Sequence, residues 1–311
     1  METISIGVPS VAAKGSRTRR SVRTRLPAAI ALLPTALIVL VVFIGCMLWT
    51  VRLSFTSSTL LPKLDWVGFA QYSRLFANDR FLTSASNIVI FGTLFIAGCL
   101  IIGFLLAVFI DQNVRGEGLF RTIFLYPYSM SFVVTGVAWQ WFLNPGLGLQ
   151  KLVRDMGFES FTFDWLVNQR MAIYTIVIAG LWHGTGLTMA ILLAGLRGID
   201  ADLWKAAKVD GIPTWRVYTS VVLPLLRPMV VTAVVLLTTG VVKLYDLVVA
   251  MTLGGPGIAT EVPAKFVMDH LFERNNIALG TAAATVMLIT VIAILAPWVY
   301  VRYVRPQGRH A

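Results

Sequence analysis

A chain of 311 residues that is 57% hydrophobic and 13% charged is too apolar for an ordinary soluble domain, which carries roughly 25% charged residues. Its charges are bunched and leave long windows without any. The fold class expected is therefore all-α, a polytopic membrane protein of about six spans, because lipid offers no partner to a free backbone N–H or C=O and a helix satisfies both internally. The net charge of +11 does not call for nucleic acid: the basic residues fall between the apolar windows, where membrane topology accounts for them.

The first window runs from Leu26 to Val51 without a charge. At about 1.5 Å per residue it reaches nearly 40 Å, enough to cross a hydrocarbon core of about 30 Å with tilt. Pro27 and Pro34 lie near its start, and their kinks are tolerable where neighbouring groups satisfy the freed carbonyls. Arg19–Arg20 before it invites reading as a secretory or twin-arginine signal. An apolar stretch of about 25 residues exceeds the 7–15 of a signal core, and no clear small-residue cleavage site follows, so an uncleaved first helix is expected. Further windows lie at 81–110, 122–143, 171–196, 228–250 and 277–301, the fifth containing Lys243 and Asp246.

Lys and Arg assign the two faces. One face carries Lys14, Arg17, Arg19, Arg20, Arg23, Arg25, Arg115, Arg121, Arg197, Lys205, Lys208, Arg216, Arg227, Arg302, Arg305 and Arg309. The other carries nine, so the first is expected to be cytoplasmic with both termini inside. Two longer loops, 52–80 and 144–170, then lie outside. Their Trp66, Tyr72, Phe76, Phe161, Phe163 and Trp165 suit an interfacial belt or a partner surface.

Catalytic signatures are missing. No Gly-Lys dipeptide occurs, so there is no Walker A loop. No His is followed by Glu, which excludes HExxH, and no GxSxG is present. Cys46 and Cys99 both fall inside apolar spans and form no CxxC, so neither a disulfide framework nor a zinc site is implied. No metal and no catalytic residue is expected. A conduit, receptor or scaffold fits better than an enzyme.

The connection between spans four and five carries the most information. It reads Asp200-Ala-Asp-Leu-Trp-Lys-Ala-Ala-Lys-Val-Asp-Gly211, then Ile-Pro-Thr-Trp-Arg-Val-Tyr-Thr-Ser-Val-Val-Leu-Pro224-Leu-Leu-Arg-Pro228. Asp200 suits an N-cap and Gly211 a C′ position, with Pro213 preventing continuation. A helix of about ten residues is expected between them. Leu203 and Ala207 share a face and Ala206 adjoins it, so another surface can approach closely. A second segment, 213–223, has Trp215, Tyr218 and Val222 at helical spacing and should lie along the interface, with Pro224 and Pro228 marking the turn into span five. On these grounds alone an ordinary amphipathic connector fits equally well.

This stretch resembles the permease subunits of binding-protein-dependent ABC importers. That family carries Glu-Ala-Ala, three residues, Gly, nine residues, then Ile-x-Leu-Pro. Here Ala206-Ala207, three residues, Gly211, nine residues and Val221-Val222-Leu223-Pro224 keep the spacing. The resemblance implies a coupling helix that docks on an ATPase subunit through Lys205, Ala206, Ala207, Asp210, Gly211, Leu223 and Pro224. Lys205 stands where the family has Glu and reverses a charge at that edge. Arg115-Gly116, Phe120-Arg121, Tyr126-Pro127, the run from Trp139 to Gly146, Tyr245-Asp246, the run from Thr252 to Gly257, and Ala259-Thr260 resemble the carbohydrate branch, most closely the glucose/mannose and α-glucoside permeases.

The resemblance implies the following organisation. A basic cytoplasmic tail (1–25) precedes a transmembrane permease domain (26–303) holding the coupling loop (about 197–227), and a second basic tail (304–311) follows. The partners implied are a second permease subunit, two ATPase subunits that hold ATP and Mg, an external solute-binding protein, a mono- or short oligosaccharide, and the lipid bilayer of the cell inner membrane. No cofactor is implied on this chain.

Polar residues inside spans are candidates for the sugar path. Lys243 and Asp246 are three apart and can pair on one helical face, either as a structural ion pair or as path lining beside Tyr245. His183, in the run Gly180-Leu-Trp-His-Gly184-Thr-Gly186 that permits close helix packing, is either a packed, satisfied histidine or a ligand. Gln140 and Asn144 either meet substrate or cap a helix. An ion-driven secondary transporter is one alternative, although no inverted repeat is visible. An intramembrane enzyme or scaffold is the other.

Overall fold

The computed structural model describes residues 25–112 and 114–299. The basic tails expected at either end, with Lys14, Arg17, Arg19, Arg20, Arg23, Arg302, Arg305 and Arg309, lie outside the described residues. The chain divides into two units, one ending at Trp49 and one starting at Thr50. In the first, α1 (Arg25–Ile38) passes through a π-helical stretch, Val39–Ile44, into α2 (Gly45–Leu53). The apolar helix Ala31–Leu53 is long enough to cross a membrane.

In the second unit the spans follow the expected windows, with two of them broken. The helix α3 (Ala70–Phe76) precedes α4 (Asp79–Asp111), whose 33 residues reach about 50 Å. The Asn78 side chain caps α4 by accepting from the amides of Arg80 and Phe81, and the helix holds an apolar stretch long enough to cross a membrane. The long helices α8 (Ala172–Arg197) and α15 (Ile277–Val299) follow the same logic. Counting each bent pair as one span and including Ala31–Leu53, the described residues of the chain hold up to six candidate spans, four of them unbroken. Among the described residues the only β feature is an isolated bridge between Thr56 and Trp66, so the all-α class holds.

Span three, expected as one helix over 122–143, is two. The helices α5 (Glu117–Ser129) and α6 (Phe132–Phe142) meet at 101°. Pro127 removes a donor from the last turn of α5, and the Ser131 hydroxyl accepts from the Val134 amide to start α6 afresh. The approach to span five is also bent. Short helices α10 (Thr214–Val217) and α11 (Leu223–Leu225), joined by a π-helical stretch, meet α12 (Arg227–Val242) at 67°. That bend falls between Pro224 and Pro228. The α12 helix stops at Val242 and α13 (Tyr245–Thr252) restarts after two intervening residues, Lys243 and Leu244, so span five is interrupted where 228–250 was expected to be continuous.

In lipid, helices do not gain by leaving water, so close packing must hold them together. The core between α4 and α8 places Phe91 and Phe95 against Gly180 and Gly184. Farther along, Gly103 faces Thr188. The smallest gap joins α5 to α8: a Cβ on Gly186 would lie 1.9 Å from the Phe124 carbonyl oxygen. Similarly, Gly136 of α6 rests against Ala250 of α13. The loops 52–80 and 144–170 contain α7 (Leu149–Asp155) and an aromatic stack of Phe55 on Trp66 at 5.1 Å, with Tyr72 and Phe69 around it.

Candidate functional site

Two places carry candidate function: the connection 198–226 and the face made by α6 and α13. In the first, α9 (Ala201–Val209) forms as expected. The Asp200 side chain accepts from the Asp202 amide at 3.0 Å. At the other end Gly211 has φ +66°. The Ile212 amide donates to the Ala207 carbonyl at 3.0 Å, and the Gly211 amide to Lys208 at 3.3 Å. This pair of bonds is a Schellman motif, and its left-handed residue is why Gly stands at 211.

No residue of α9 is buried. The helix does turn one side inward: Trp204 packs edge-on against Tyr218 at 5.5 Å, and Ala207 lies half-buried beside the core of Met189, Leu196 and Val222. The face shared by Leu203 and Ala207 is therefore split, Ala207 facing inward and Leu203 outward. Lys205, Ala206, Asp210, Gly211, Leu223 and Pro224 are exposed. So are Val209 at 86% and Trp215 at 63%, which makes this an unusually apolar surface for water. The Lys205 ammonium pairs with Asp202 at 2.8 Å. Both ends are solvated, so the pair adds little stability.

On the second face, α6 and α13 touch at Gly136, and α8 joins through His183. His183 is buried, lies 3.3 Å from the Thr135 hydroxyl, and packs on Phe132 at 4.3 Å and Tyr128 at 5.5 Å. It is thus a packed, hydrogen-bonded histidine. The Asn144 side chain accepts from the Gly146 amide at 2.9 Å, a turn bond beyond the end of α6. Gln140 and Tyr245 are half-buried on the neighbouring helices α6 and α13.

Lys243 and Asp246 do not pair. They flank the break between α12 and α13, both are exposed, and among the described residues neither side chain makes a hydrogen bond or ion pair. The expectation of a shared face assumed an unbroken helix, and the break removes that geometry.

One constellation escaped sequence reasoning. Arg80, in the first turn of α4, donates to both Glu261 and Asp269. Lys265 of α14 (Pro263–Met268) donates to Asp269 at 2.8 Å. Asn87 holds the carbonyls of Ala259 and Glu261 at 3.0 and 2.9 Å. Two cations and two carboxylates thus pin the segment after α13 to the start of α4. Burial pushes the Glu261 carboxyl up, against the pull of Arg80. For Asp269 burial also pushes up, but the bonds from Lys265 and Arg80 outweigh it and hold it below the usual carboxylate range. Partners 181 and 189 residues apart leave no sequence signal. Replacing Arg80 by Ala leaves Asp269 with Lys265 but strands the buried Glu261 carboxylate, and should cost about 3 kcal/mol. The readout is the heat stability of the purified protein in detergent, and a variant that survives heating like wild type refutes the clamp.

Comparison with known proteins fits these features. Residues 99–305 match the family model described as binding-protein-dependent transport system inner membrane component. A probable ABC transporter permease protein of Pyrococcus horikoshii is 35% identical over 281 residues, covering 89% of this chain and 96% of that protein. The xylose/arabinose import permease protein of Haloferax volcanii is 31% identical, covering 78% and 76%. The trehalose/maltose transport system permease protein of Thermococcus litoralis is 28% identical, covering 84% and 88%. Among solved structures, a bacterial ABC transporter involved in the import of alginate superposes with a TM-score of 0.75 at 21% identity, covering 90% of this chain and 96% of that one.

Proposed function

The chain belongs to the binding-protein-dependent transport system inner membrane component family, and from that premise we propose how it works as half of a sugar path. It is the membrane-spanning subunit of an ATP-driven sugar importer. It is not an enzyme, and the ATPase is a separate subunit. The ion-driven and intramembrane-enzyme alternatives fall away with that membership.

In the proposed arrangement this chain and a second permease subunit enclose the path. An external solute-binding protein delivers a mono- or short oligosaccharide, and two ATPase subunits holding ATP and Mg press on the exposed α9 surface. Lys205, Ala206, Asp210, Gly211, Leu223 and Pro224 face that partner, and Ala207 backs the helix. Both termini and the coupling loop lie on the cytoplasmic side, as the Lys and Arg distribution indicates, with the permease domain spanning 26–303 between basic tails. The sugar belongs to the glucose/mannose and α-glucoside class. The motifs at 139–146 and 252–260 and the trehalose/maltose relative support this choice.

The observation that carries the path is the unpaired charge in span five. The 16 residues of α12 rise about 24 Å from Arg227, so Lys243 lies within a hydrocarbon core of about 30 Å. A lipid-facing charge costs roughly 2.5–3.5 kcal/mol at the centre of a span and less toward an interface, so the two unpaired ones are tolerable only where protein or water covers them. That cover is the α6–α13 side, where Gln140 and Tyr245 supply hydrogen bonding. We expect Lys243→Ala and Asp246→Ala to lower sugar import about tenfold each, the loss of one charged hydrogen bond. Uptake of radiolabelled glucose, mannose, maltose and trehalose into vesicles measures it. Import and assembly both at wild-type level in both variants would exclude these residues from the path.

A further inference from the structure

We propose that Arg197 is a positioning residue that passes movement of the coupling helix into the broken span three. The inference rests on the coupling role of α9 and goes beyond it by naming the link. Arg197 is the last residue of α8, and only Gly198 and Ile199 separate it from Asp200, the cap of α9. Its Nη2 lies 2.8 Å from Glu117 Oε1, and its Nε lies 3.8 Å from Asp111 Oδ1. Glu117 is the first residue of α5 and Asp111 the last of α4. One guanidinium therefore gathers the ends of three helices beside the root of the coupling helix. Arg121 approaches the same Glu117 oxygen at 4.0 Å, so the group is neutral overall.

Helix-end electrostatics favour this placement. A cation at the C-terminus of α8 and an anion at the N-terminus of α5 each meet the opposite pole of their helix. Arg197 also offsets Asp111, which sits at the unfavourable end of α4. The pair is solvent-accessible, 39% and 28% for the two side chains, so holding the fold together is not its main consequence. That task falls to the backbone contact at Gly186 and Phe124. What the pair sets is the direction in which α8 hands over to α9 relative to α5.

From α5 the connection continues. Its far end turns through the bend at Met130–Ser131 into α6, where Thr135 meets His183 of α8 and Gly136 meets Ala250 of α13. A tilt of α9 thus has a chain of contacts to the face carrying Gln140 and Tyr245. The fork of Arg197 reaches two carboxylates at once, which a lysine ammonium cannot reproduce. Contacts of this kind modulate coupling between sites without touching either ligand.

The test uses the complete complex with its ATPase subunits and binding protein in proteoliposomes. Arg197→Gln, Glu117→Gln, their double variant and Arg197→Lys are compared for radiolabelled glucose, mannose, maltose or trehalose imported per ATP hydrolysed. ATPase subunit co-purified per permease is measured alongside. Each Gln variant should lower sugar per ATP by about fivefold or more, the lower end of usual coupling, with ATPase co-purifying at the wild-type ratio. The double variant should be no worse than the more severe single one, since the two residues act as a unit, and Arg197→Lys should fall between. An unchanged ratio in Arg197→Gln, or single effects that multiply in the double, overturns the proposal. So does loss of the ATPase subunit, which would make Arg197 a docking residue. Should the Gln variant fail to assemble, Arg197→Lys, which keeps the charge, decides by the same ratio. Failure of the coupling-helix reading itself shows elsewhere, as wild-type import in a Gly211 variant.

Discussion

Gly211→Asp is expected to abolish sugar import while membrane insertion and sugar capture by the binding protein persist. The fold should tolerate the change. Nothing lies within 4 Å of a Cβ built at 211, so the added side chain meets open space. The left-handed backbone at φ +66° costs a non-glycine residue about 1–2 kcal/mol, and Asp is among the residues that adopt it most readily. The Schellman bonds from Gly211 and Ile212 to Lys208 and Ala207 use backbone atoms and survive. The new side chain instead projects from the end of α9, beside exposed Ile212 and Trp215, onto the surface assigned to the ATPase. A carboxylate driven into an apolar contact without a partner costs several kcal/mol, enough to reduce productive docking more than a hundredfold. Uptake assays on complexes of verified membrane content measure the loss. Gly211→Asn, with the same shape and no charge, should lose less. Import at wild-type rate in Gly211→Asp removes α9 from the coupling role.

Gly186→Leu should be the most damaging single change to the structure itself. Its Cβ would lie 1.9 Å from the Phe124 carbonyl oxygen and 2.7 Å from its carbon. The obstacle is backbone, so no rotamer of a neighbour can relieve it. Either α5 must lift from α8 or α8 must bend, and both break the contact that carries span three. Overpacking of this kind costs upwards of about 3 kcal/mol. It should appear as loss of monodisperse protein in detergent and of complex assembly. Gly118→Ala, in the first turn of α5, meets nothing within 4 Å and serves as the control. A Gly186→Leu protein that purifies and melts like wild type contradicts the packing of α5 on α8.

The sequence made the α9 region legible because both ends of that helix are decided by near neighbours. A cap at Asp200 needs only the Asp202 amide, and the termination at Gly211 needs only Ala207 and Lys208. Membership of the permease family was legible there too, through the spacing from Ala206 to Pro224. The sugar face was less so. His183, Asn144, Lys243 and Asp246 were all visible as polar residues near lipid, but each had two readings. Packing gives two of them protein partners: His183 bonds to Thr135 and Asn144 closes a turn. For Lys243 and Asp246 the assumption of one continuous helix misled, because three residues of separation mean a shared face only while the helix runs unbroken.

What the sequence determined by itself is where the chain is apolar enough to cross a bilayer, and where the short helix α9 starts and stops. Both follow from local chemistry: a backbone in hydrocarbon must bond to itself, and a cap bonds within a turn. The tertiary structure alone decided how span three breaks at 101°, why Gly186 must be Gly, and which charges meet. Arg80 with Glu261 and Asp269, and Arg197 with Glu117 and Asp111, join parts of the chain that hydropathy treats as unrelated. Hydropathy records whether a residue prefers lipid. Direction and partnership arise only when helices pack, because a contact between distant segments depends on the position of both.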